Sequence, residues 1–500
     1  MIRLAGRAPR MGVLMVASEM APWAKTGGLA DVVGAMPEAL AELGHDVTVV
    51  MPKYRDVTMP RTLATTRAVR LGALAEDVTF HTATFASNRR VVFVDCPKFF
   101  DRDGLYGTGG RDFGDNADRF GLLTAAALDY AEGRAGGLPI DVVHGHDWQA
   151  GLAATLLKSL GSRWPRLSLA GRVFTIHNLA YQGLFPREVV PRLGLPWSAF
   201  TIDRGEFWGK FSFLKAGVVD NDYLTTVSPT YRRETLTRAG GSGLEGVLGA
   251  RARRYVGILN GIDTRAWDPS TDRHLPATFD ADDLAGKARC KRALLERFGL
   301  PVGDDALERP LVGMVSRLVP QKGLDLIQAA ANDLVEIDAT WVFVGTGERR
   351  YERMLEALRA RYPSRVVAHV GFDEALAHLV EAGADLFLMP STFEPCGLNQ
   401  MYSLRYGTVP IVHAVGGLDD TVQPYTSRAR HANGFKFQEP TAEALVRTVK
   451  QAVRLFREKD VWRRLMRAGM AADHSWEISA REYVKVYRRA RLTAADREGG

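Results

Sequence analysis

Apolar residues gather along the chain in runs of four or five, and between the runs they recur every three to four positions. Val13-Leu14-Met15-Val16-Ala17 is the first run and Val47-Thr48-Val49-Val50 the second. Between them Leu29, Val32, Val33, Met36, Leu40 and Leu43 share one face of a helix that Gly44 closes. A run that is apolar at every position suits a parallel strand covered on both faces, since a strand with one wet face would alternate. Strand, helix and strand make a βαβ unit. The series continues with Val91–Val94, Val142–His144, Val173–Ile176 and Leu224–Ser228. It restarts near residue 300 with Leu311–Val315, Trp341–Val344, Val366–Val370, Leu386–Met389 and Val409–Val412. The pattern therefore predicts an α/β protein of two doubly wound domains, over 11–265 and 301–470. Ligands bind such sheets outside the carboxyl ends of the strands, so two facing domains would place their loops around one central cleft. The polar, Pro- and Asp-rich stretch 264–287 suggests an extended connector, counted here as 266–300, leading into a helix Arg289–Phe298. An amphipathic segment from Trp476 predicts a closing helix within 471–492.

Five hundred residues, 46% hydrophobic and 25% charged, exceed what one core usually supports, in keeping with two domains. No apolar run reaches membrane-spanning length, and the stretch 11–17 meets Glu19 too soon to serve as a signal peptide, so a cytoplasmic protein without a membrane partner is expected. Cys96, Cys290 and Cys396 are few and widely spaced, forming neither a disulfide framework nor a metal pattern. The net charge of +7 is dispersed, and the basic helix 457–467 reads as a solvated face, so nucleic acid is not expected. A mildly basic protein still favours a small anionic substrate.

Candidate chemistry sits where strands end. In AKTGGLADVV, Lys25, Gly27 and Gly28 follow the first strand, where glycines let a backbone approach an anion and a lysine can face it; an ordinary turn with a solvated lysine is the plainer reading. Arg317 and Lys322, in VSRLVPQKGL, can both reach a diphosphate at a helix start or can be two exposed loop cations. Glu394 follows another strand, before Pro395-Cys396-Gly397-Leu398 and the pair Gly416-Gly417. It could fix sugar hydroxyls or balance charge developing at an anomeric carbon, or simply cap a helix. His144 and His146 in HGHDWQAG and His177 in TIHNLAYQG could hydrogen-bond a sugar or satisfy core groups. The Asp-x-Asp pairs at 101/103, 220/222 and 280/282 lack a crevice context, so no metal is expected. GTGERR at 345–350 lacks the third glycine of a dinucleotide fingerprint, and GGSGLEG at 240–246 reads as a mobile loop rather than a phosphate loop.

Nine motifs in one order, KTGGLADVVGAMP, HGHDWQAG, FTIHNLAYQGLF, FSFLKAGVV, TTVSPTYRRE, GILNGIDTRAWDP, VSRLVPQKGLDL, STFEPCGLNQMYSLRYGTVPIV and GGLDDTV, resemble the bacterial glycogen synthases and plant starch synthases from about residue 11 to about 490. The resemblance implies two Rossmann-like domains of the GT-B glycosyltransferase architecture, with the helix from Trp476 crossing back to the first. It also implies a retaining enzyme that moves glucose from ADP-glucose to the nonreducing 4-hydroxyl of glycogen or another α-1,4-glucan, with no cofactor. Carried over, His177, Arg317, Lys322 and Glu394 would be catalytic, the two cations gripping the diphosphate. Lys25, Gly27, Gly28, Asp31, His146, Asn178, Asn260, Phe372, Cys396, Gly397, Leu398, Gly416 and Gly417 would bind substrate. Three positions depart from the family. Phe372 stands where Tyr is frequent, and Thr392 and His413 where Arg is common, which would remove two cations. UDP-glucose as donor, another acceptor, or a decayed glucan-binding protein are the alternatives.

Overall fold

The computed structural model describes residues 9–133 and 138–498. They form two compact units, one of residues up to Val227, Arg232–Gly261 and Trp476 onward, the other of Ser228–Tyr231 and Ile262–Ser475.

The first unit is built on nine strands: β1 (Gly12–Val16), β2 (Asp46–Pro52), β3 (Leu63–Leu71), β4 (Leu74–Ala86), β5 (Arg89–Asp95), β6 (Ile140–His146), β7 (Gly171–Ile176), β8 (Tyr223–Thr226) and β9 (Tyr255–Gly257). Their order in the sheet is β9-β8-β7-β6-β1-β2-β5-β4-β3. All neighbours from β9 to β5 are parallel, and β4 and β3 add an antiparallel hairpin at one edge. The helix Gly28–Glu42 buries Leu29, Val32, Val33, Met36 and Leu40, the face anticipated from their spacing. The sheet order reverses at β1, which pairs with β2 on one side and β6 on the other, so the loops after β1 and β6 diverge there.

The second unit has six parallel strands, β10 (Leu311–Val315), β11 (Thr340–Gly345), β12 (Val366–Val370), β13 (Leu386–Met389), β14 (Val409–His413) and β15 (Phe435–Phe437), in the order β12-β11-β10-β13-β14-β15. Alternate side chains serve opposite faces. Val312, Met314, Trp341, Phe343, Leu386 and Leu388 pack into one apolar layer, while Leu311, Val342, Val344, Phe387 and Met389 pack into the other. Burial on both faces is the physical reason that these strands read as unbroken apolar runs. Its reversal lies between β10 and β13.

Two expectations are corrected. The stretch 266–300 lies within the second unit instead of standing as a connector, and its helix runs Ala285–Arg297, four residues earlier at its start than expected. Asp263, Asp268, Asp272, Asp280 and Asp283 account for the polar composition, because each carboxylate accepts from a backbone N–H two or three residues on and so makes a turn. The closing helix begins at Trp476 and runs to Glu498; residues 471–475 belong to the second unit. It buries Trp476, Ala480, Tyr483, Tyr487, Ala490 and Ala494 in the first unit, where Tyr487 Oη lies 2.9 Å from His144 Nδ1.

Candidate active site

Each candidate residue lies at or beyond the carboxyl end of a strand in its own unit, and the two units carry separate constellations. In the second, Lys322 is delivered by the turn between β10 and the helix Leu324–Glu336, and Glu394 by the loop after β13. Lys322 Nζ donates to Glu394 Oε2 at 2.5 Å, both groups largely withdrawn from water. The Ser391 hydroxyl donates to the same carboxylate oxygen at 3.0 Å. The two loops are further tied together where the Thr392 N–H donates to the Gln321 carbonyl at 2.9 Å. Arg317 remains exposed; its guanidinium reaches Gln321 Oε1 at 3.5 Å and has no carboxylate partner among the described residues.

Gly416 and Gly417 open a short helix against this loop, the Gly417 N–H facing the Glu394 and Pro395 carbonyls at 3.2 Å each. Gly416 has a left-handed φ of +43°, and a Cβ there would collide with the Glu394 carbonyl oxygen. Only glycine fits on both counts. Gly417 likewise abuts Cys396, a buried thiol, and Leu398 caps the helix Asn399–Arg405. Lys322, Glu394, Cys396, Gly416 and Gly417 thus meet in one cluster, with Arg317 beside it. Phe372 is not joined to it by any direct contact: it follows β12 and is 86% exposed.

The departures look different in three dimensions. His413 is buried and stacked on Phe437, its ring nitrogens 2.7 Å from the Ser391 carbonyl and 3.2 Å from that of Gln438. It braces the residue whose hydroxyl holds Glu394. Thr392 is exposed and bonded to Gln321.

In the first unit, Lys25 Nζ donates to Asp31 Oδ1 at 2.6 Å. Burial raises the Asp31 carboxyl above its ordinary range, and the charge of Lys25 opposes the rise. Behind this pair stands a residue that sequence reasoning missed. Buried Glu19 accepts from the Thr26 N–H and hydroxyl at 2.6 Å each, from the Gly27 N–H at 3.4 Å and from Tyr106 Oη at 2.5 Å, fixing the loop that carries Lys25, Gly27 and Gly28. An acid six residues before Lys25, just beyond the end of a strand, was the available signal.

His146 Nδ1 and His177 Nε2 are 3.0 Å apart, and His144 is held by Thr175 Oγ1 at 2.6 Å and by Tyr487. Burial lowers His144 and His177 to about 3 and His146 well below its ordinary value, so all three imidazoles are neutral near pH 7. Asp147, quoted within HGHDWQAG but not singled out, receives the His177 N–H at 2.7 Å and that of Asn178. Burial lifts its carboxyl to about 7, against those two bonds. The Asn178 side chain accepts from the Ala180 N–H at 3.1 Å. Buried Asn260, after β9, joins neither group, and its Oδ1 has no hydrogen-bond partner among the described residues. The acidic pairs that could suggest a metal are occupied otherwise: Arg55 bridges Asp101 and Asp103, and Asp220 holds Thr155, Lys158 and Arg204.

A starch synthase catalytic domain model matches residues 12–250 and a glycosyl transferases group 1 model matches 303–463. A glycogen synthase of Anaeromyxobacter dehalogenans (strain 2CP-1) is 51% identical over 479 residues, 96% of this chain and 99% of that one. The chain belongs to the glycogen synthase and starch synthase family. Membership makes it a glucosyltransferase, as its motifs implied. A glycogen synthase of Koribacter versatilis is 46% identical over 498 residues, 97% of this chain and 99% of that protein. The catalytic domain of starch synthase IV from Arabidopsis thaliana, bound to ADP and acarbose, is similar in structure with a TM-score of 0.87 and 34% identity over 97% of this chain and 100% of that one. The two doubly wound α/β units expected from the sequence are those of this GT-B fold.

Proposed function

We propose that this glucosyltransferase takes glucose from ADP-glucose and adds it, with retention at the anomeric carbon, to the nonreducing 4-hydroxyl of an α-1,4-glucan such as glycogen. The observation that carries the reading is the cluster of Lys322, Glu394 and the Gly416-Gly417 turn with Arg317 beside it, in a family whose Arabidopsis member was solved with ADP and acarbose. A nucleoside diphosphate is already a good leaving group, so the protein's task is to stabilise charge on the departing phosphates. Arg317 and Lys322 supply cations for it, Arg317 as a planar fork and Lys322 as a point charge. Gly416 and Gly417 let the backbone approach the phosphates, and Lys25 with Asp31 contributes to donor binding from the first unit. Cys396, Gly397, Leu398 and Glu394 form the wall for the glucosyl group, and Phe372 offers a ring face to the base. His177, neutral through burial, hydrogen-bonds the sugar without placing positive charge beside a cationic transition state. His146, Asn178 and Asn260 complete the polar lining of the first unit.

The test is nucleotide release by the purified protein given glycogen and either ADP-glucose or UDP-glucose. Glycogen-dependent ADP release with growth of the glucan is expected. Preference for UDP-glucose would overturn the donor assignment, and silence with both would overturn transfer to this acceptor.

A further inference from the structure

In the first unit a small antiparallel sheet, formed by Leu184–Pro186, Lys210–Ser212 and Glu206–Phe207, ends in a two-residue turn of Trp208 and Gly209. Both turn residues have left-handed φ, +52° and +76°. Such turns suit Asn-Gly or Gly-Gly, and a bulky aromatic at the first position is a backbone outlier. Trp208 is nevertheless 83% exposed, so burial does not offset the strain. The turn is also braced from behind. The Gly209 N–H donates to Glu206 Oε1 at 2.7 Å, and buried Lys215 donates to the Glu206 and Ile202 carbonyls at 2.6 Å each. A rule broken locally and held rigidly in place points to function.

What surrounds the indole says what it meets. Phe207 is its ring neighbour, and Gly243, at φ +83°, lies against both rings so that a side chain there would crowd Phe207 and approach Trp208 Nε1. The Gly-rich loop 240–246, for which the phosphate-binding and mobile-loop readings were the sequence alternatives, is thus a seated backing for the hairpin: the Gln182 side-chain amide donates to the Ser242 carbonyl at 2.9 Å. Gln182 and the exposed Tyr181 belong to the same loop as His177 and Asn178, and the Tyr181 N–H donates to the Asn178 carbonyl at 3.3 Å. The platform is therefore continuous in chain and in hydrogen bonds with the sugar-facing residues of this unit.

We infer that Trp208, with Tyr181 as its companion, is a stacking subsite for the glucan acceptor, its indole lying under the apolar face of a glucose ring several units from the reacting end. This rests on the acceptor reading proposed above. An α-glucan is the occupant favoured because a rigidly presented indole beside hydrogen-bonding groups, the Gln182 amide and the Ser242 carbonyl, matches a pyranose ring, which is apolar on its faces and polar at its edges.

Trp208→Gly is the informative variant, because glycine removes the ring and relieves the backbone, so folding is retained. Two readouts separate this inference from the one beneath it. In native gels cast with glycogen, which need no catalysis, wild type is retarded, Trp208→Gly less so, and Trp208→Phe recovers the retardation. In the nucleotide-release assay the KM for a maltooligosaccharide rises about tenfold in Trp208→Gly while the KM for the sugar nucleotide stays put. Equal gel mobility of wild type and Trp208→Gly, or an equal acceptor KM in an active enzyme, overturns the subsite. A wild type that is retarded by glycogen but releases no nucleotide instead overturns the transferase reading and leaves the subsite standing.

Discussion

Lys322 and Glu394, 72 positions apart in the chain, meet at 2.5 Å beyond the ends of two adjacent strands, with the Ser391 hydroxyl on the same carboxylate oxygen. Each member orients the other, and in the proposed reaction the ammonium is the cation offered to the departing diphosphate. Lys322→Ala is expected to lower kcat about 10²–10³-fold, the usual loss when a preorganised donor to developing negative charge is removed. Turnover within a few-fold of wild type would show that the leaving group is stabilised elsewhere.

Glu19 offers a cleaner separation of binding from chemistry. Its two oxygens take four donors, so Glu19→Leu leaves the Thr26 and Gly27 N–H groups without their acceptor. Losing a buried acceptor of this kind costs about 1–3 kcal/mol. The expected outcome is a lower melting temperature and a raised donor KM, with Lys25 no longer fixed; steady-state kinetics and a thermal melt on one preparation read both.

His413→Phe keeps a ring against Phe437 and removes both bonds to carbonyls. The buried Ser391 carbonyl oxygen then loses its donor, and Ser391 is freed to move with Glu394. We expect destabilisation of about 1–3 kcal/mol and a fall in kcat larger than any rise in donor KM, measured by melts and by initial rates.

The pH dependence of stability follows from the buried cluster around His177. His144 and His177 have native values near 3 against an ordinary 6.5, so below pH 6.5 the unfolded chain takes up protons that the native state refuses. Their contribution is present above pH 6.5 and is lost as pH falls toward 3. Asp147, lifted to about 7 from 3.8, acts in the opposite sense: between those values the native state holds a proton that the unfolded state has released, so its contribution is greatest at the acid end and fades as pH rises to 7. With three imidazoles, His146 acting in the same sense, against one carboxyl, melting temperature should drop from pH 6.5 to 4. Asp147→Asn should steepen that drop and His144→Gln should make it shallower; melts across pH 4–8 decide.

The strands of both units were legible because burial on two faces leaves unbroken apolar runs, and β1, β2 and β10 to β14 stand where those runs are. The hairpin of β3 and β4 was not. Leu63–Leu71 is largely exposed and rich in Thr, Arg and Ala, so it lacks the apolar run by which the other strands were found. Of the candidate site, the placement of Lys25, Arg317, Lys322 and Glu394 beyond strand ends could be read from residue type and motif. Glu19, Asp147 and Ser391 could not, since their significance lies in what they accept from or donate to. Tyr106, one donor to Glu19, is 87 positions away. Backbone N–H groups, which hold Asp147, leave no mark in the sequence at all.

The closing helix has a consequence in time. Tyr487 reaches His144, Arg497 binds Asp222, and Gly171 leaves room only for the helix backbone near Ala490. The first unit thus lacks part of its interior until the helix Trp476–Glu498 has emerged, whereas nearly all of the second unit is made as one continuous stretch before that helix. During translation the second unit can mature first, and the first waits for the helix that is made after it.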